Sequence, residues 1–466
     1  MTSKLQMRVG SAKTWLAGTL VACLGLLARG GETNVLVWQA DRNQVSADIR
    51  GEALWPLLED IAHQTGWHIF VEPDASHDSS VKFRNLPSGE ALQKLLGDLN
   101  FAVVPQTNGE QELYVFKTTM QKATQRVAAV ARKAAARHVA NQLMVHLKPG
   151  ADIDAIAKAH GAKVLSRNDK LGIYLLEFSD ATSTDAALAS LKTDSQVASV
   201  DYNYLFDAPV SPAQLATAPS AGPVSLTLDP NNPTDPCNPV VGLIDTGVQS
   251  LGSTLDPFLL TSVNVTGNTT PMSTTTPTHG TAMVQAILQG ISQQATNSPV
   301  RILPVDVYGS GETTTSWNVA LGVQAAVNGG ATVLNMSLAG STDGAVLDDI
   351  IQQALAKGIV IFAAAGNQPV TTPEYPAAIP GVNAVTALSA PGQLASYADY
   401  GSFVEMALPG SSVVYMGGVP WVVNGTSTAT AYATGVAAGS KAVNCQSWSQ
   451  IQSAMAAKFP VPQKGN

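Results

Sequence analysis

Charge and cysteine are what this sequence has least of. Its 466 residues carry 26 lysines and arginines against 34 aspartates and glutamates, a charged fraction of 13% and a net charge of −8. A dedicated nucleic-acid binder has a basic footprint, so this balance argues against one. The apolar fraction of 45% suits large folded cores rather than disorder. Only three cysteines are present, with no cysteine–histidine cluster, so no zinc site is expected. Long apolar runs are absent too. The run WLAGTLVACLGLLA, from Trp15 to Ala28, is shorter than the roughly 20 residues that a comfortable membrane span needs. It follows Lys4, Arg8 and Lys13. A positive start and a short apolar run form the pattern of a secretory signal peptide over residues 1–30, with a buried core helix as the alternative. Within it, LVAC at Leu20–Cys23 resembles a bacterial lipoprotein cleavage box, which makes Cys23 a minor candidate for anchoring. Export would make the protein secreted, periplasmic or outer-membrane associated. Cys237 and Cys445 then remain as an even pair in an oxidising compartment.

What is present begins with a repeat. GEALWPLLEDI at Gly51 is matched by GEALQKLLGDL at Gly89. Leucine spacing predicts a helix in each copy. Strand-like runs flank both: VSADIR and WHIFVE around the first, VKFRNL and FAVVPQ around the second. ELYVF at Glu112 follows the turn dipeptide Asn108-Gly109. This pattern, over residues 43–117, resembles the short N-terminal domain of secretins and TonB-dependent receptors. The resemblance implies docking to an envelope protein. His63, His68 and His77 fall here and read as ordinary surface or half-buried histidines rather than ligands. Residues 118–137, Ala-rich and basic, predict a helical, solvated linker, with a trimming site for another protease as the alternative.

Residues 138–207 read as strand, helix, strand, strand, helix, strand, a ferredoxin-like order. It resembles the propeptide of subtilisin-like proteases, which inhibits by placing its C-terminus in the active site. Residues 208–236, rich in Pro, Ala, Ser and Thr, read as a linker with a maturation site.

From residue 237 to 466, continuous apolar runs alternate with helices. VVGLIDTG, RILPVDVY, ATVLNMSL and IVIFAAAGN predict a mostly parallel sheet covered on both faces, an α/β fold. Ligands bind at the carboxyl ends of such strands, where Asp245, Ser337 and Asn367 fall. His279 lies in THGTAM and Ser427 in NGTSTATA. Singly, each has an ordinary reading: a strand-end aspartate, a structural histidine, an N-cap serine, a turn asparagine. Together they supply a nucleophile, a base, an orienting acid and an oxyanion donor, in one of the chain orders on which this chemistry has converged.

Residues 237–466 resemble the subtilisin-like serine protease (subtilase) family. YPAAIPGVNAVTA at Tyr375 and ASYADYGSFVEMALPG at Ala395 match it in order as well. The resemblance implies that Ser427 attacks the scissile carbonyl, His279 carries the proton, Asp245 holds the imidazole, and Asn367 with the Ser427 N–H binds the oxyanion. It implies an extended substrate against Gly309-Ser310-Gly311 and Ser337-Leu338-Ala339, with Ala364, Ala365 and Gly366 beside it. Gly280 is expected to let substrate backbone approach. Ala431 stands where the family usually has proline, and Asn367 to Tyr375 is short for a segment that usually lines the first specificity pocket. No calcium-binding loop is recognisable, so no metal or cofactor is expected.

The implied protein is a secreted serine endopeptidase made as a zymogen, with peptide substrates and its own propeptide as inhibitor. A peptide-binding pseudoprotease and an envelope adaptor are the alternatives. The strand 239–245 spans about 20 Å and the helix 427–441 about 21 Å. Both run away from the site, which brings Cys237 and Cys445 to a similar depth and predicts a disulfide.

Overall fold

A computed structural model describes residues 35–39, 44–105, 111–127, 137–215, 226–232, 237–268, 272–389 and 392–462. The signal-peptide and Cys23 expectations lie outside these residues, as do parts of the two expected linkers.

The C-terminal region is a seven-stranded sheet in which every neighbouring pair is parallel. The strand Val240–Asp245, third in the sheet, lies between Arg301–Asp306 and the central strand Val333–Met336. Val360–Ala364, Asn383–Leu388 and Met406–Pro409 follow on one side. Side chains alternate between faces along a strand. Val241, Leu243, Phe362 and Val385 therefore pack under the helices His279–Ser292 and Thr426–Asn444. Ile244, Leu334, Ile361 and Ala384 face the helices Ser316–Asn328 and Ala345–Ala356. This is the subtilisin-like α/β arrangement, with helices on both faces of a parallel sheet. The helices 279–292 and 426–444 touch through glycine. A Cβ on Gly435 would lie 2.1 Å from the Ile287 carbonyl oxygen, and one on Gly290 2.4 Å from that of Tyr432.

Residues 138–207 form strands His138–Leu147, Lys163–Asn168, Ile173–Glu177 and Val197–Asp207, with helices Ile153–Ala159 and Ala181–Leu191 between them. The sheet is two-sided by alternation. Leu143, Val145 and Leu176 pack on its own helices. Met144, Ile173 and Leu175 join the core under the helices 316–328 and 345–356.

The N-terminal region begins earlier than expected. Val35–Gln39 pairs with Gln44–Ala53, which pairs with Asp78–Leu86. A second sheet holds 100–105, 111–116, 68–71 and 125–127. The repeated GEAL is not used alike: Gly51–Ala53 ends a strand, whereas the second copy lies inside the helix Ser88–Leu96. The expected helical linker differs most. Met120–Lys122 is a 3-10 turn and Gln125–Val127 a strand antiparallel to Ile69–Val71. Apolar residues of this domain share one continuous core with the sheet face beneath the helices 279–292 and 426–444.

Candidate active site

Asp245 ends the strand Val240–Asp245 and His279 opens the helix His279–Ser292. Thr278 caps that helix, its side chain accepting from the Thr281 N–H. His279 Nδ1 lies 2.9 and 3.0 Å from the two Asp245 carboxylate oxygens. Asp245 Oδ1 also accepts from the Thr246 N–H at 2.7 Å. A proton on Nδ1 donated to the carboxylate leaves Nε2 as the basic nitrogen. Gly280 has a different role from the expected one. A Cβ there would lie 2.3 Å from the Thr246 carbonyl oxygen. Glycine lets the helix close onto the strand end and so brings His279 to Asp245.

Ser427 is the second residue of the helix Thr426–Asn444. Its Oγ donates to the Ser337 carbonyl at 3.3 Å, and no hydrogen bond joins it to His279. His279 and Ser427 line one cavity. Catalytic hydrogen bonds are often loose until substrate is bound. Ser337 Oγ donates in turn to the Ser427 carbonyl at 3.2 Å. The threonines after Ser427 are not idle: Thr430 and Thr434 hydroxyls donate to the carbonyls of Thr426 and Thr430.

Asn367 follows the strand Val360–Ala364. Its Oδ1 accepts from the Thr426 N–H at 2.8 Å and hydroxyl at 3.1 Å, which fixes the amide orientation. Nδ2 is left as a donor beside the N–H of Ser427, one of the unsatisfied donors of a helix's first turn. Two such donors can hold a developing oxyanion.

Ser337, Leu338, Ala339, Ala364 and Gly366 line the same cavity, whereas Ala365 is fully buried and does not. Gly309, Ser310 and Gly311 line an adjoining cavity that also includes His279. The edge that pairs with chain lies just beyond them: Leu205, Phe206 and Asp207 run antiparallel to Thr315, Thr314 and Thr313. The Ala208 N–H donates to the Glu312 carbonyl at 2.7 Å. Farther on, Ala213 and Gln214 pair with Val422 and Trp421. Residues 205–214 thus cross the cleft, and Pro209, Val210 and Ser211 face the cavity of His279 and Ser427.

Sequence reasoning missed three carboxyl groups in this cavity, Glu59, Glu374 and Asp399. Burial pushes Glu59 up to about 8, opposed by the hydrogen bond from Trp55 and aided by the Asp399 charge. Burial also holds Asp399 well above the carboxylate range, the hydrogen bond from Gln368 opposing it and the Glu374 charge adding to it. Glu374 sits in the segment noted as short, which was the available signal. Glu59 comes from the N-terminal domain, which spacing along the chain could not bring here.

Cys237 and Cys445 form a disulfide with Cα atoms 5.4 Å apart. Among the described residues, no group of three or more His, Cys, Asp or Glu could hold a metal ion.

Residues 237–459 match the subtilase family, and residues 124–203 match the fervidolysin N-terminal prodomain. Subtilisin NAT of Bacillus subtilis subsp. natto is 31% identical over 283 residues, 55% of this chain and 68% of that protein. Subtilisin of Bacillus pumilus is 36% identical over 155 residues, 32% of this chain and 54% of that protein. Fervidolysin from Fervidobacterium pennivorans, described as a keratinolytic enzyme related to subtilisin, superposes with a TM-score of 0.53 at 18% identity. That likeness covers 72% of this chain and 63% of fervidolysin and speaks to the fold. The prodomain match begins at Thr124, inside the stretch first read as linker.

Proposed function

Because the chain belongs to the subtilase family and is a serine endopeptidase made with a prodomain, we propose that it cleaves peptide bonds through Ser427, His279 and Asp245. Ser427 Oγ attacks the scissile carbonyl as His279 Nε2 takes its proton. Asp245 holds the imidazole and stabilises its charge. The oxyanion is bound by Asn367 Nδ2 and the Ser427 N–H, each such donor contributing roughly 3–4 kcal/mol to the transition state. His279 then protonates the leaving amine, and water hydrolyses the acyl-enzyme by the same steps reversed.

The observation that carries this reading is the bidentate approach of His279 Nδ1 to Asp245 in the cavity that holds Ser427 and Asn367. A fluorophosphonate probe tests it. Labelling that vanishes in Ser427→Ala supports it, and labelling elsewhere in the chain contradicts it.

The chain across the cleft supports self-inhibition. Residues 205–208 occupy one side, residues 213–214 the other, and the catalytic groups lie beneath the span between them. We further propose export to the cell envelope or beyond it, a reading supported by the pattern of residues 1–30 and by the disulfide. The N-terminal domain carries a second proposal, docking to an envelope protein. It is supported by the strand–helix pattern of residues 43–117 and by exposed Val37 and Val103 on edge strands, where an added strand can pair. Crosslinking in cells with and without this segment checks it: unchanged partners on deletion contradict it.

A further inference from the structure

Ser427 stands on a turn that is held from outside the catalytic domain. Asn424, Gly425, Thr426 and Ser427 join the strand Val419–Asn424 to the helix Thr426–Asn444. Gly425 has a φ of +147°, in a region that glycine alone enters readily. A Cβ there would lie 3.4 Å from Asn367 Nδ2 and 3.7 Å from the Ser427 nitrogen. The turn therefore rests against both oxyanion donors, and a shift of Gly425 moves one relative to the other. No side-chain hydrogen bond caps this helix start at Gly425, so the turn keeps its place through what packs behind it.

The Gly425 N–H donates to the Gly410 carbonyl at 2.9 Å, and the Tyr397 hydroxyl donates to the same carbonyl at 3.0 Å. The buried Tyr397 ring packs on buried Trp55 of the N-terminal helix Leu54–Thr65, ring centroids 6.4 Å apart. The Trp55 indole N–H donates to Glu59 at 2.9 Å, which fixes the ring. The Ser396 hydroxyl donates to the Pro73 carbonyl at 2.6 Å and pins the residue before Tyr397 to the same domain. On the other side of Gly425, Asn424 Nδ2 donates to Thr124 Oγ1 at 3.5 Å. Thr124 leads into the strand Gln125–Val127, which pairs with Ile69–Val71 of the N-terminal domain. Two separate elements of that domain thus reach the two flanks of one turn.

We propose that the N-terminal domain positions the nucleophile turn. Trp55 acts through Tyr397 and Gly410, and Thr124 acts through Asn424, to hold Gly425 where the Ser427 N–H and Asn367 Nδ2 converge on the oxyanion. Trp55, Thr124 and Tyr397 are positioning residues, since each acts through another group. A misplacement of about 1 Å can cost roughly 10²-fold in rate, so loosening this brace lowers kcat without removing a catalytic group. The role is separate from the docking proposed for the edge strands of the same domain.

This inference rests on Ser427 being the nucleophile, and the test separates the two. The full chain and its variants are labelled with a small fluorophosphonate, whose phosphoryl oxygen uses the same oxyanion donors. In parallel, kcat and KM are read on one peptide well below each Tm. In Trp55→Ala the labelling rate and kcat are expected to fall roughly fivefold or more, with KM within about twofold. Trp55→Phe keeps a ring against Tyr397 and is expected to retain about half of the parent rate or more. Tyr397→Phe keeps the packing and loses only the hydroxyl on Gly410, and Thr124→Val loses only the acceptor for Asn424. Each is expected to lower the labelling rate about twofold or more. Because Trp55 and Tyr397 act through one carbonyl, the double variant Trp55→Ala, Tyr397→Phe is expected to fall no further than Trp55→Ala alone. Unchanged labelling in Trp55→Ala, whatever its Tm, overturns the brace and leaves the nucleophile standing. So does a rise in KM alone, which makes Trp55 a substrate contact, or a double variant whose losses multiply. Where Trp55→Ala does not fold, Tyr397→Phe and Thr124→Val decide, and unchanged rates in both overturn the brace. Absence of labelling at Ser427 in the parent chain overturns the nucleophile and the brace with it.

Discussion

Ser427 can act only if its proton has an acceptor and the charge it creates has donors. In the proposed mechanism His279 and Asp245 supply the first, Asn367 the second. Ser427→Ala is therefore expected to abolish peptide hydrolysis. Asn367→Ala is expected to fold and bind but lose roughly 10²–10³ in kcat, since one oxyanion donor is gone. Steady-state kinetics check both, and full turnover in Asn367→Ala would remove it from this role. Local sequence could propose these four because each sits in its own short motif, and the fold brings His279 to Asp245 and sets His279, Asn367 and Ser427 around one cavity. Local sequence was not enough for Gly280, whose reason is the 2.3 Å approach to Thr246 across the fold. Glu59 gives a pH prediction. In the unfolded chain it ionises near 4.5, whereas burial in the fold keeps its proton to about 8. The folded state thus holds the extra proton in that window. The associated stability is fully present below about 4.5 and is lost as pH rises through about 8. Glu59→Gln cannot ionise, so its Tm is expected to fall less between pH 5 and pH 8 than that of the parent protein. Equal falls in differential scanning calorimetry contradict this.

Among elements, the telling contact is between the prodomain sheet and two catalytic-domain helices. The helix Ala345–Ala356 has no side-chain cap of its own, and Asp201 of the prodomain accepts from its Ala345 N–H at 2.9 Å. Asn203 likewise accepts from the Trp317 N–H at 3.1 Å, in the first turn of Ser316–Asn328. A helix start leaves such donors unsatisfied, so the prodomain satisfies groups that its departure exposes. Losing one cap costs about 1 kcal/mol, which is about fivefold in affinity. Asn203→Ala is expected to weaken prodomain inhibition by about that factor, read as Ki for prodomain added in trans. The order of prodomain elements was legible in the sequence because hydrophobic alternation and turn residues are local. Which sheet face meets the protease was not, since Leu143 and Met144 look equally apolar yet point to different cores. The disulfide ties the start of the Asp245 strand to the end of the Ser427 helix across 208 residues. Such a loop contributes roughly 2–4 kcal/mol. The double variant Cys237→Ser, Cys445→Ser is expected to melt roughly 4–16 °C lower with kcat kept, because neither sulfur lies near the cleft.

At the scale of the molecule, the parallel sheet could be read from its apolar runs, but the seating of the N-terminal domain could not. Its docking depends on pairs such as Trp55 with Tyr397, the Ser396 hydroxyl on the Pro73 carbonyl at 2.6 Å, and Asn424 on Thr124 at 3.5 Å. These lie some 300 residues apart, and no periodicity in either segment encodes the match. The docking bears on trimming by other proteases. Residues 117–137 hold Lys117, Lys122, Arg126, Arg132, Lys133 and Arg137 and no acid, so a protease that cuts after basic residues finds its sites there. A cut in that stretch would separate the N-terminal domain in sequence but not in space, because its core is continuous with that of the catalytic domain. After limited trypsin digestion that cuts between residues 117 and 137, size-exclusion chromatography should find the two pieces still eluting together, and an N-terminal piece that elutes alone would contradict the shared core.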